Sequence, residues 1–305
     1  MPAANPDKLK VVKQVSAQGS VFTLARVPQT SRLFLGGSDF KVCEIDLASP
    51  KPEPRELGRH DSYVTGLTLA GPALVSGGYD RRLVWWDPEK RTRVRAVDDA
   101  HRKWVRDVTS APDGKVVASV ADDMVCRLWD AAEGKLLREL RGHQEKTPHH
   151  FPSMLFTCAF SPDGQHLATG DKLGHVVVWE VASGRQAATL EAPVLYTWDP
   201  VQRRHSIGGI RSLAFAPDGK LLAVGGMGKV GNIDHLEGKA RVEVFDWQSG
   251  KRMLEFSSDR FKGLVEDLAF HPKGDWLLAA GGAGDGFLLF LDHRTGKVLV
   301  LEMKG

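Results

Sequence analysis

The sequence predicts an all-β fold of six repeated modules, each of four antiparallel strands, and three observations carry that expectation. A Pro-Asp-Gly-type turn recurs, as Ala111-Pro112-Asp113-Gly114, Ser161-Pro162-Asp163-Gly164, Ala216-Pro217-Asp218-Gly219 and His271-Pro272-Lys273-Gly274, with looser versions at Pro28 and Pro72. Proline presets φ and glycine supplies positive φ, so each is a hairpin turn with a mechanism. Between the turns lie short runs rich in Val, Leu and Phe, such as 115–119, 125–129 and 174–179, bounded by turn residues as strands are. No intervening segment is long or periodic enough for a crossover helix, so neighbouring strands must be antiparallel and a two-domain α/β reading is disfavoured.

Each module in turn shows an apolar strand, a turn, a second strand ending in small residues, a third ending near Asp, and a fourth. The third strands close on Trp86-Asp87, Trp129-Asp130, Trp179-Glu180, Phe245-Asp246 and Leu291-Asp292. Repeats of this length with that signature resemble the WD-repeat family over about Val21 to Leu301, and the resemblance implies a β-propeller of six four-stranded blades. The first-turn prolines are spaced by 44, 40, 50, 55 and 55 residues, so the later repeats carry insertions. One propeller domain over 1–305 is expected, with blades at approximately 17–57, 58–99, 100–141, 142–190, 191–257 and 258–305, and a closing strand at 8–16. Six repeats already supply 24 strands, because Lys297 to Met303 provides the last blade's fourth strand. Either the 8–16 strand is surplus or a seventh blade is missing, so a seven-bladed or incompletely closed form stands beside the six-bladed one. Six is preferred because 191–209 is too short to hide a blade.

Composition narrows the function classes. The 305 residues carry 41 Lys and Arg against 38 Asp and Glu, a net charge of +3 that falls well short of a nucleic-acid-binding field. Cys43, Cys126 and Cys158 stand far apart in apolar runs and read as buried, reduced thiols. No window is apolar for long enough to span a membrane, and the start lacks a signal pattern, so a cytoplasmic address is expected.

Several motifs resemble chemistry. His101, Ser119, Asp123 and Trp129 in blade three, and His60, Ser76, Asp80 and Trp86 in blade two, match the hydrogen-bonded tetrad of the WD-repeat family. A catalytic triad is the sharper reading of His, Ser and Asp, but duplication at repeat-equivalent positions without a G-x-S-x-G elbow favours a structural network. Blade four keeps His143, Thr169 and Trp179 with Leu173 at the Asp position, while Leu35, Gly225 and Ala280 replace Ser in blades one, five and six. Gly226 to Gly231 matches G-x-G-x-x-G, yet the residues after it are too few for the crossover helix of a dinucleotide site. His143, His149, His150, His205, His235 and Asp234 fall in loops without zinc-ligand spacing. The run Lys90, Arg91, Arg93 and Arg95 is read as edge protection on an outer strand, with phosphate contact as the alternative. No catalytic residue, metal or cofactor is expected.

Antiparallel order sorts the loops. Segments 144–153, 191–209 and 226–239 fall on one face of blades four and five, and long loops on a rigid scaffold concentrate function. Phe151, Tyr196, Trp198, Arg203, Arg204, Met227 and His235 are the candidate partner-binding residues, since aromatics, Arg and Met are enriched at interfaces. The plainer alternative is that these loops only cover each other or a channel mouth. The expected function is therefore a non-catalytic scaffold for a protein or peptide partner. A propeller-type hydrolase or lyase at the axial channel mouth is the alternative, marked by convergent carboxylates or histidines at strand starts. A sensor module fused to a kinase or anchor is a third reading, and no such domain is seen in this sequence.

Overall fold

A computed structural model describes residues 10–201, 205–235, 237–284 and 286–302. The fold is all-β, six four-stranded antiparallel blades of the β-propeller class, divided between two compact units.

The unit spanning residues 12–145 holds three sheets. The first is β1 (Val21–Arg26), β2 (Arg32–Gly37), β3 (Lys41–Asp46) and β4 (Arg55–Arg59); the second is β5 (Val64–Ala70), β6 (Ala73–Gly78), β7 (Leu83–Asp87) and β8 (Thr92–Val97); the third is β9 (Val105–Ser110), β10 (Val116–Ala121), β11 (Val125–Asp130) and β12 (Leu136–Arg141). The unit built from Lys146 onward holds the other three. They are β13 (Leu155–Phe160), β14 (His166–Asp171), β15 (His175–Glu180) and β16 (Gln186–Glu191); β19 (Ile210–Phe215), β20 (Leu221–Met227), β21 (Lys239–Asp246) and β22 (Lys251–Lys262); and β23 (Leu264–Phe270), β24 (Leu277–Gly282), β25 (Gly286–Leu291) and β26 (Val298–Glu302). Between the fourth and fifth sheets stands a separate hairpin, β17 (Tyr196–Asp199) and β18 (His205–Gly208).

The turns follow from local sequence. Gly114, Gly164, Gly219 and Gly274 all have φ between +70° and +72°, and each donates its N–H to the carbonyl three residues back. The Asp of each Trp-Asp pair acts one turn later: Asp87 Oδ1 accepts from Glu89 and Lys90 N–H, and Asp130 Oδ1 from Ala132 and Glu133. Those carboxylates therefore stop the third strand and start the fourth.

Packing follows the two-residue period of the strands. Leu67, Leu74 and Trp86 of the second sheet bury against Phe34 and Val42 of the first, while Val75 and Trp85 on the opposite face meet Val108 and Val117 of the third. The other unit repeats this, with Leu213, Val224 and Phe245 against Val176 and Val178, and Val242 and Val244 against Leu268 and Leu277. Close approach is needed at Gly58, where a Cβ would run into the Trp86 ring.

The first strand of every four-stranded sheet carries a bulge that leaves one residue unpaired: Phe22, Thr65, Arg106, Phe156, Arg211 and Glu266. A bulge turns its side chain out of the pleat, so these six positions are presented differently from their neighbours.

Two expectations are corrected. Residues 10–16 form no strand, and the last sheet takes its fourth strand from β26, so within the described residues the 8–16 segment does not close a blade. The register also moves two substitutions by one residue. Ser76 sits two residues after Leu74, which faces Trp86 across the β6–β7 ladder, and the residues so placed relative to Phe245 and Leu291 are Val224 and Ala279, not Gly225 and Ala280. Insertions and small-residue pairs hid that offset in the linear sequence.

Candidate interaction surface and the buried polar networks

The hairpin β17–β18 is the centre of the candidate surface. Thr197, Tyr196 and Trp198 alternate across it, so Thr197 is buried while the two aromatic rings are half-exposed. On the aromatic side, the His149 ring stacks on Trp198 at 3.9 Å with 9° between planes, and Phe151 leans on the same indole at 5.4 Å. Tyr196 Oη lies 3.5 Å from His149 Nδ1. On the other side, Val230 donates its N–H to Thr197 Oγ1 at 3.2 Å.

The loop carrying His149 and Phe151 is a tight hairpin of its own. Lys146 bridges to Pro152, Thr147 N–H donates to Phe151 O at 2.8 Å, and His150 N–H donates to Thr147 O at 2.9 Å. His150 takes φ +65°, the left-handed position that ends such a three-residue turn. Buried Thr147 and Ser153 anchor the loop, and Phe151 is left 42% exposed. Gly209, at φ +104°, returns the chain to β19; a Cβ there would meet Lys172 Cα at 2.7 Å.

The structure thus brings Phe151, Tyr196 and Trp198 together. Met227 is a correction: it is fully buried among Val230, Ile233 and Leu264, and supports the loop from below instead of meeting a partner. That cluster also explains Gly226 to Gly231, whose loop encloses a small apolar core and leads into no helix. His235 is exposed on the turn from Asn232. Arg203 and Arg204 lie outside the described residues. His149, considered in the sequence only for metal binding, is instead the platform under Trp198. The hairpin had a sequence signal in the alternation Tyr196-Thr197-Trp198 before Asp199-Pro200.

The two tetrads are continuous hydrogen-bond chains. Trp86 Nε1–H donates to Ser76 Oγ at 2.8 Å, so the serine keeps one proton, and its nearer acceptor is His60 Nε2 at 2.7 Å rather than Val84 O at 3.4 Å. His60 then carries its proton on Nδ1, which donates to Asp80 Oδ2 at 2.9 Å. Burial works against the Asp80 charge, but the bond from His60 and the N–H groups of Asp61 and Arg82 outweigh it and hold the carboxylate below its usual range. In the third sheet, Trp129, Ser119, His101 and Asp123 repeat the chain at 2.8, 2.7 and 3.1 Å. Arg127 joins here, with Nη1 2.6 Å from His101 Nδ1 and 2.8 Å from Asp123 Oδ2. Burial opposes the Asp123 charge too, yet His101, Arg127 and Arg102 N–H carry it well below the carboxylate range. Burial, and then Arg127, depress His101.

Ser76 and Ser119 have no exposed surface, and each hydroxyl is held between an indole and an imidazole, so neither is presented to a substrate. In the fourth sheet Trp179 Nε1–H donates to Thr169 Oγ1 at 2.9 Å, and buried Asp171 Oδ1 accepts from Leu173 and His175 N–H. His143 is half-exposed, unlike His60 and His101.

The remaining motifs find ordinary partners. Arg91 bonds Glu44 and Glu56 O, Lys90 pairs with Asp87, and Arg95 donates to Ala132 O, so that basic run is largely tied down along the outer strand β8. Cys43, Cys126 and Cys158 are buried and free, with burial pushing the Cys126 thiol far up. Among the described residues no three His, Cys, Asp or Glu side chains gather as metal ligands, and no helix is long and apolar enough to cross a membrane.

Repeated four-stranded blades, Asp-capped third strands and His-Ser-Trp chains define the WD-repeat class of β-propeller. The WD40 family (WD domain, G-beta repeat) matches residues 92–130, 134–180 and 198–230, and over those residues the chain carries repeats of that family. It is similar to telomerase protein component 1 of Mus musculus, 26% identical over 281 residues, which cover 92% of this chain and 9% of that protein. It is 27% identical over 207 residues to eukaryotic translation initiation factor 3 subunit I of Candida albicans, covering 67% and 49% of the two chains. To the guanine nucleotide-binding protein subunit beta of Solanum tuberosum it is 30% identical over 167 residues, covering 54% and 41%. The chain therefore spans less than a tenth of the first relative and under half of the other two.

Proposed function

We propose that the chain is a non-catalytic scaffold that holds a protein or peptide partner on the surface built by the 146–153 loop, the β17–β18 hairpin and the loop after β20. The observation that carries this reading is the stacked His149–Trp198 pair with Phe151 beside it, a preformed aromatic platform on loops braced by a small core of their own. Rigid, partly exposed aromatics are the usual anchors of protein interfaces. Two of the relatives are by name subunits, which fits a role within assemblies. Arg203 and Arg204, outside the described residues, belong to this proposed surface by sequence alone; a cytoplasmic setting suits thiols that form no disulfide.

The test is affinity recovery with the whole chain as bait. Trp198→Ala and Phe151→Ala should each reduce recovery of specific partners about 30-fold or more, the scale of a 2 kcal/mol hot spot, while stability changes by less than about 1 kcal/mol. Full retention of every partner by both variants sinks the site.

A further inference from the structure

The unit spanning residues 12–145 carries an aromatic surface that the proposed site does not use. Phe22 and Phe40 each meet Tyr63 at 5.6 Å between ring centroids, Tyr63 meets Tyr79 at 5.5 Å, and Tyr79 stacks on Trp104 at 4.4 Å with 6° between planes. Four of these five rings face solvent: Phe22 is 49% exposed, Phe40 38%, Tyr63 39% and Trp104 49%. Scattered exposed aromatics are ordinary, but a connected row of them marks an interaction site.

The repeat geometry makes the row. Phe22 is the bulge residue of β1, Tyr63 and Trp104 stand one residue before β5 and β9, and Phe40 and Tyr79 lie in the turns after β2 and β6. Tyr79 N–H donates to Tyr63 O at 2.9 Å, and Asp122 N–H to Trp104 O at 3.1 Å, so turns and strand starts are clamped side by side. Arg106, the bulge residue of β9, lies 4.8 Å from the Tyr79 centroid and 5.5 Å from that of Trp104, is fixed by two 2.7 Å bonds to Asp122, and donates to Tyr79 Oη. The row is rigid before any partner arrives, which lowers the entropic cost of binding. Phe40 moreover holds φ +69°, a conformation unfavourable for a bulky side chain, and still turns its ring outward.

Charge is uneven along the row. Arg82 is paired with Asp61 and Asp98, Arg81 with Asp99, and Arg106 with Asp122. Arg102 and Lys103, adjacent to Trp104, are exposed and make no ion pair among the described residues. At the Phe40 end Lys41 pairs with Glu56 and Asp39 Oδ1 accepts from Lys41 N–H, whereas the Trp104 end presents the two cations Arg102 and Lys103.

We propose that this row binds an extended peptide whose apolar side chains lie along Phe22, Tyr63 and Trp104 and whose acidic residue faces Arg102 and Lys103. Single-stranded nucleic acid fits less well. A base inserted between two rings needs about 7 Å between their planes, twice an atomic contact distance, and the rings already touch each other. Two free cations also fall short of the series of phosphate contacts that holds a strand.

The experiment is selection from a random twelve-residue peptide library on the immobilised full chain, followed by fluorescence anisotropy with the enriched peptide made synthetically. Enriched sequences are expected to combine apolar residues with Asp or Glu, and replacing the acid by Lys should weaken binding at least tenfold. Trp104→Ala and the pair Arg102→Glu, Lys103→Glu should weaken it similarly. Phe40→Gly should weaken it while leaving the melting temperature equal or higher, because glycine relieves the positive φ, which separates lost contact from lost folding. Trp198→Ala should leave it unchanged, so this surface and the one around Trp198 stand or fall separately. Absence of acidic-apolar enrichment, binding unaffected by Trp104→Ala, or oligo-dT binding that the same variants abolish would each overturn the proposal.

Discussion

Ser119→Ala removes one oxygen and leaves two buried groups without a partner. Trp129 Nε1–H and His101 Nε2, at 2.8 and 2.7 Å from that oxygen, both lie where water does not reach. An unsatisfied buried donor costs about 1–3 kcal/mol and the second lost bond about 1, so a loss of roughly 2–4 kcal/mol is expected. The fifth and sixth sheets indicate how the chain avoids that cost: Val224 and Ala279 replace the serine where Phe245 and Leu291 replace the indole, so no N–H is left to satisfy. In a Trp129→Phe background, Ser119→Ala should therefore cost only about 1 kcal/mol, leaving a coupling of about 1–3 kcal/mol between the two sites. Urea denaturation gives the totals, and native-state hydrogen exchange of the β10 and β11 amides localises the loss to the third sheet. Strict additivity, or a single mutant within about 0.5 kcal/mol of wild type, would refute the network as a source of stability.

Met227→Ala should cost about 2–4 kcal/mol through a cavity under the loop, and a stability-neutral result would place Met227 at the surface. Asp123 has a folded pKa held below its unfolded value of about 3.9, so its contribution is complete above that pH and is lost as pH falls toward the folded value. The stability gap between wild type and Asp123→Asn should accordingly be constant from pH 5 to 7, roughly the fully ionised range, and shrink below about pH 4; a gap unchanged down to pH 2, about two units further, contradicts this.

The linear sequence was sufficient for whatever depends on near neighbours. Pro-Asp-Gly turns, strand length and the Trp-Asp ending are set by local sterics and local hydrogen bonds, which is why six four-stranded sheets can be written down before any coordinate is known, whereas the two tetrads are legible only through the resemblance to the WD-repeat family. Tertiary packing decided the rest. Whether Met227 faces a partner or a core depends on Val230 and Ile233, within a loop of irregular backbone that has no period to read, and on Leu264 beyond it. Insertions in the fifth sheet shifted the apparent serine position by one residue, and in a strand one residue reverses the face. The stacking of His149 on Trp198, and the row from Phe22 to Trp104, join rings from different strands and turns; each ring is unremarkable in its own repeat, and only the bulges and clamped turns that set the blades side by side make a surface of them.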